Sequence, residues 1–130
     1  MLNRQLQLNN IYMSIALEIS KMSRCNRAKV GALLVKDNNI ISYGFNGTPA
    51  GFCNTCEEND ITKKEVIHAE VNAILKAGRE SIGSDLFLTL SPCIDCCKLI
   101  KQAGIRKVYI KEYYRDTSGL NQLQLDYEQL

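Results

Sequence analysis

Apolar positions follow two rhythms along the chain, and their alternation predicts its elements. From Leu6 to Met22, Ile11, Ile15 and Ile19, flanked by Leu8, Tyr12 and Met22, recur at helical spacing and predict one amphipathic helix. Val30-Gly31-Ala32-Leu33-Leu34-Val35 is a nearly unbroken apolar run instead, the mark of a strand buried on both faces. Asp37-Asn38-Asn39 supplies turn chemistry, and Ile40-Ile41-Ser42-Tyr43-Gly44 reads as the hairpin partner. Rhythm is lost between Phe45 and Ile61, where glycines, a proline and two cysteines predict a long irregular loop. Loops of that length in compact domains are often functional.

Helical spacing returns with Val66, Ala69, Ala73, Ile74 and Ala77 and ends near Gly78. Leu86-Phe87-Leu88-Thr89-Leu90 predicts a strand stopped by Ser91-Pro92. Cys93 to Ala103 predicts a helix ended by Gly104, and Val108-Tyr109-Ile110 another strand. Strand, helix, strand, helix, strand describes a crossover α/β unit, with helices packed on a central sheet. Leu120, Leu123 and Tyr127 fall on one face of an expected final helix. The 130 residues show no internal repeat or linker and suit one domain, 1–130, around one core.

Composition narrows the function classes. A hydrophobic fraction of 45% and a charged fraction of 23% are ordinary for a soluble globular chain. The net charge is only +2, and the basic residues are dispersed, without the dense stripe of a nucleic-acid binder. No stretch approaches membrane-spanning length, and the opening residues lack the apolar core of a signal peptide. Six cysteines then read as metal ligands and free thiols in a reducing compartment, and a cytoplasmic location is expected.

The candidate chemistry lies in His68-Ala69-Glu70 and Pro92-Cys93-Ile94-Asp95-Cys96. One imidazole and two thiolates are three ligands for a tetrahedral zinc whose fourth position stays open to water. Glu70 is then a proton carrier that need not touch the metal. Both motifs fall at predicted helix starts, where side chains from two adjacent helices can converge. Cys93 and Cys96 share a helical face. His68 and Glu70 are about 200° apart by helical rotation, so both can approach one ion only at a helix end. The rival reading is a folding-only cage of Cys53, Cys56, Cys93 and Cys96. The pairs lie much farther apart than the ~15–20 residues of a zinc ribbon, and the cage leaves His68 and Glu70 idle. The H-x-E…P-C-x-x-C pattern is the one that marks zinc-dependent nucleobase deaminases.

Four segments carry a closer resemblance: Val30-Gly31-Ala32, the loop Tyr43-Gly44-Phe45-Asn46-Gly47-Thr48-Pro49-Ala50-Gly51, His68-Ala69-Glu70-Val71-Asn72-Ala73-Ile74, and Leu90 to Cys97. Together they resemble the deoxycytidylate (dCMP) deaminases of the cytidine deaminase superfamily, from near Ser23 to about Asp116. The resemblance implies a three-layer α-β-α fold with a central mixed sheet of about four to five strands. It implies hydrolysis of dCMP to dUMP and ammonia, feeding thymidylate synthesis. It further implies a homohexamer activated by dCTP and inhibited by dTTP, with Mg2+ accompanying the triphosphate. On this chain His68, Cys93 and Cys96 would bind zinc and Glu70 would shuttle protons.

By the same resemblance Asn46 would meet the deoxyribose, and Ala69 and Tyr114 would line the substrate site. Without it, Asn46 reads as a turn residue and Tyr114 equally well as core packing. A 5′-phosphate calls for cationic donors. Arg24, Arg27 and Lys29 cluster before the first strand, with Arg24 the leading candidate and a solvated basic turn the plainer reading. Arg79 is a candidate effector contact, or a helix-end arginine complementing the dipole. Some relatives hold a second zinc, for which Cys25, Cys53 and Cys56 are present but no second histidine exists. The short tail after Thr117 predicts a helix in place of the last strand of many relatives. Deaminases of free cytidine, or of tRNA or single strands, and a zinc-stabilised nucleotide-binding module are the competing functions.

Overall fold

Asn3 opens the first helix, its side chain accepting the Leu6 N–H at 2.7 Å, and α1 runs from Arg4 to Ser20. The computed structural model describes residues 3–114 and 116–130. After α1 come β1 (Gly31–Lys36) and β2 (Asn39–Phe45), joined through Asp37 and Asn38, both with positive φ. Two left-handed residues in a two-residue hairpin match the twist of the flanking strands, which is why Asp and Asn stand there. A small hairpin follows, β3 (Glu57–Glu58) and β4 (Ile61–Thr62), then α2 (Ala69–Ala77). β5 (Asp85–Leu90), α3 (Ile94–Gln102), β6 (Lys107–Glu112), α4 (Ser118–Gln122) and β7 (Tyr127–Gln129) complete the chain.

The main sheet has the order β2-β1-β5-β6-β7. β1 pairs antiparallel with both neighbours, whereas β5, β6 and β7 run parallel. Side-chain alternation splits the core in two. Leu33, Val35, Phe87 and Tyr109 meet Tyr12, Met13 and Ala16 of α1 on one face. Ala32, Leu34, Leu86, Leu88, Val108 and Ile110 meet Ala69, Ala73, Cys97, Ile100 and Leu120 on the other. This is the expected three-layer α-β-α arrangement, with a mixed sheet of five strands.

Three expectations need correcting. The stripe of α1 that the sheet covers is Tyr12, Met13 and Ala16, while Ile11 and Met22 are exposed. Close packing against the sheet selects the small Ala16, while Leu8, Ile15 and Ile19 flank it, partly buried against the same core as the spacing predicted. The segment from Phe45 to Ile61 is less irregular than its composition suggests: it contains β3, and Gly47 forms an isolated bridge with Ile67. The tail does not replace the last strand with a helix. α4 is one short turn-rich element, after which Tyr127 to Gln129 pair in parallel with Val108 to Ile110.

Gly44 sets the position of the site. A Cβ at Gly44 would lie 2.4 Å from the Ala69 carbonyl oxygen and 2.6 Å from the Ala73 nitrogen, so only glycine lets β2 approach α2 so closely.

Candidate active site

Two helices of nine residues begin side by side, and each is entered through a potential metal ligand. His68 is the N-cap of α2, with φ −71° and ψ 156°, and Cys93 the N-cap of α3, with φ −70° and ψ 169°. Neither side chain makes the usual cap hydrogen bond, so both are left to point elsewhere. The extended backbone at His68 resolves the rotation problem: the imidazole leaves just before the helix, and Glu70 from its first turn.

His68 Nδ1 lies 3.1 Å from Cys96 Sγ and 3.7 Å from Cys93 Sγ, and the three donors sit within 4.8 Å of one another. Zn–N and Zn–S bonds at tetrahedral angles place such donors about 3.6 Å apart. The donor set therefore fits a zinc ion with three protein ligands. Electrostatics agree. Hydrogen bonds from Cys96 and then His68 pull the Cys93 thiol down to about 4, while the bond to Cys93 and burial push Cys96 upward. The positively polarised start of α3 favours the thiolate form of this pair. His68 is held above its ordinary value, chiefly by its hydrogen bond to Cys93. Glu70 is only 4% exposed, and burial raises its carboxyl above the usual carboxylate range.

A cavity of about 450 Å³ opens over these groups. His68, Ala69, Glu70 and Cys93 form its floor, and Val30, Asn46, Ser91, Ile94 and Tyr114 are among its walls. Cys96 lies beneath, 3% exposed. Asn46 accepts the Val30 N–H at 2.9 Å and donates to the Ala28 carbonyl at 2.8 Å, so it latches the preceding segment while lining the cavity. An amide has further donor and acceptor capacity, which remains for a ligand. Gly47 and Ile67 exchange two backbone hydrogen bonds of 3.1 and 2.7 Å, tying the residue after Asn46 to the residue before His68. Tyr114 is set by its N–H, which donates to Ser91 Oγ at 2.7 Å.

Other sequence candidates are placed differently. Arg24 is exposed and does not line the cavity; Arg27 does, and it is the one arginine or lysine among the described lining residues. Lys29 turns its ammonium to the Ser23 and Cys25 carbonyls. Arg79 is not on α2 but on a 3-10 turn, Gly78–Ser81, at the far end of that helix from His68. Cys25 and Cys56 are joined as a disulfide and Cys53 is exposed, so these three do not form a second metal site. That pairing also corrects the expectation that all cysteines are ligands or free thiols. Sequence reasoning missed Glu57, a cavity residue whose carboxylate accepts the main-chain N–H groups of Asn26 and Arg27. Thirty-odd positions separate the partners, and no local pattern announces the contact.

The family model of the cytidine and deoxycytidylate deaminase zinc-binding region matches residues 6–112. The chain belongs to that family. Its similarity to the dCMP deaminase of cyanophage S-TIM5, solved in complex with dCMP and dUMP, is 43% identity over all of both chains, with a TM-score of 0.89. ComE operon protein 2 of Bacillus subtilis is 38% identical, covering 82% of this chain and 60% of that protein. The deoxycytidylate deaminase of Schizosaccharomyces pombe is 35% identical, covering 89% of this chain. The chain spans only 41% of that protein's length. Among the described residues, no helix is long and apolar enough to cross a membrane.

Proposed function

We propose that this chain hydrolyses dCMP to dUMP and ammonia. The observation that carries the reading is the convergence of His68, Cys93 and Cys96 beside a buried Glu70 at the floor of one cavity. Held by those three donors, zinc would supply a water acidified to near-neutral pKa. Glu70 takes the proton of the attacking water and gives it to N3 of the cytosine ring as oxygen bonds to C4. It then takes the remaining hydroxyl proton and delivers it to the amino nitrogen, which leaves as ammonia while C4 becomes a carbonyl. Both water hydrogens are accounted for, one on N3 and one on ammonia. Burial suits Glu70 to this work, because a raised carboxyl can hold a proton between the two transfers.

The nucleotide assignment rests on the full-length similarity to an enzyme solved with dCMP and dUMP, and on a cation at the cavity wall. In this reading the free edge of the Asn46 amide meets the deoxyribose, Ala69 and Tyr114 bound the base, and the Arg27 guanidinium meets the 5′-phosphate. Arg24 stands outside the cavity and is set aside for that role. Regulation by dCTP and dTTP with Mg2+, Arg79 as an effector contact, and assembly as a homohexamer extend the reading. They are tested by adding each triphosphate to the assay and by measuring molar mass in solution.

The deciding experiment measures ammonia release from dCMP, deoxycytidine, cytidine, CMP and a short deoxycytidine oligonucleotide. dCMP is expected to give the highest kcat/KM. Faster turnover of cytidine or of the oligonucleotide would replace this reading with one of its rivals.

A further inference from the structure

The cavity wall presents a small electrostatic paradox. Glu57 and Arg27 line the same cavity, yet they form no ion pair. Both Glu57 carboxylate oxygens instead accept the Asn26 N–H, at 3.0 and 3.2 Å, and one also accepts the Arg27 N–H at 3.1 Å. The carboxylate has taken the main chain of the arginine and left its side chain alone. Among the described residues the Arg27 guanidinium has no hydrogen-bond or ion-pair partner.

Two further ties hold the same turn. The Cys25–Cys56 disulfide fastens the residues immediately before Asn26 and Glu57. From the other side, Lys29 Nζ donates to the Ser23 and Cys25 carbonyls at 2.8 and 3.0 Å. A cation therefore closes the carbonyl side of the turn and an anion closes its amide side. The backbone at residues 26 and 27 is fixed without drawing on the guanidinium.

We infer that Glu57 is a positioning residue for nucleotide recognition: by holding the Asn26 and Arg27 amides, it presents an unpaired Arg27 side chain to the phosphate of the substrate. The inference rests on the reading above, in which Arg27 meets that phosphate. Two consequences separate it from a general structural role. Loss of Glu57 weakens substrate binding without slowing the chemistry at Glu70, and it has no effect once Arg27 is gone.

The test uses Glu57→Ala, Glu57→Gln, Arg27→Ala and the Glu57→Ala/Arg27→Ala double variant, each verified by zinc content and thermal melting. For Glu57→Ala, KM for dCMP is expected to rise about tenfold with kcat within about threefold, the scale of one charge-assisted contact. Glu57→Gln keeps one acceptor oxygen and should recover part of that loss. The double variant should match Arg27→Ala alone, since the two residues act in series. A fall in kcat as large as the rise in KM, an unchanged KM, or additive losses in the double variant would each overturn the inference. If Arg27→Ala leaves KM unchanged, the phosphate reading itself fails. If Arg27→Ala raises KM and Glu57→Ala does not, only the role given to Glu57 fails.

Discussion

The floor and the wall of the cavity are built on different principles. The floor is made by regular elements: α2 and α3 start together, and their N-caps and first turns deliver His68, Glu70, Cys93 and Cys96. Part of the wall lies outside the main sheet and the helices, in residues 25–30 and the small β3–β4 hairpin, fastened by a disulfide, the Glu57 carboxylate and the Asn46 latch. Chemistry that needs sub-ångström placement stands on helices. Recognition, which differs more readily between substrates, stands on crosslinked loops.

This contrast can be broken at its strongest point first. Removing zinc with a chelator, or replacing Cys96 by Ser, should reduce ammonia release to background, and zinc should restore it to the wild-type apoprotein. Activity that survives in metal-free protein would remove the floor from the chemistry. Glu70→Gln should keep its zinc yet lose at least about 10²–10⁴ in kcat, since one carboxylate serves as base and then acid. Retained turnover with full zinc content would show that the proton takes another route.

The wall should respond differently. Cys56→Ser removes the crosslink, and a bridge of this kind contributes about 2–4 kcal/mol to stability. A lower melting temperature and a higher KM are expected, with kcat less affected. A variant that loses kcat and keeps KM would place the crosslink with the floor instead. Smallest of all, Arg24→Ala should stay within about twofold in kcat/KM, as exposed side chains away from a site usually do. A tenfold loss there would reassign the phosphate contact.

What could be read from the sequence follows the same division. His68, Glu70, Cys93 and Cys96 are legible because ligands on a helix start are spaced by local geometry, two or three residues apart. The strands β1, β5 and β6 are legible because burial on both faces leaves unbroken apolar runs such as Leu86-Phe87-Leu88. β7 is not, because Tyr127-Glu128-Gln129 is short and mostly polar, and its conformation comes from pairing with β6. Arg27 and Arg24 could not be told apart until the fold put Arg27, and not Arg24, in the cavity lining, on a turn held by Glu57 and Cys56. The disulfide was illegible for the same reason: nothing near Cys25 names Cys56 as its partner, and the reducing-compartment expectation pointed away from it.

The bridge between Gly47 and Ile67 has one more consequence. It joins the neighbours of Asn46 and of His68 through two backbone bonds, with no side chain between them. On the proposed reading, a nucleotide that pulled on the loop would pull on the segment carrying the imidazole as well. Binding of a sugar at Asn46 and aim of the imidazole would then be one adjustment.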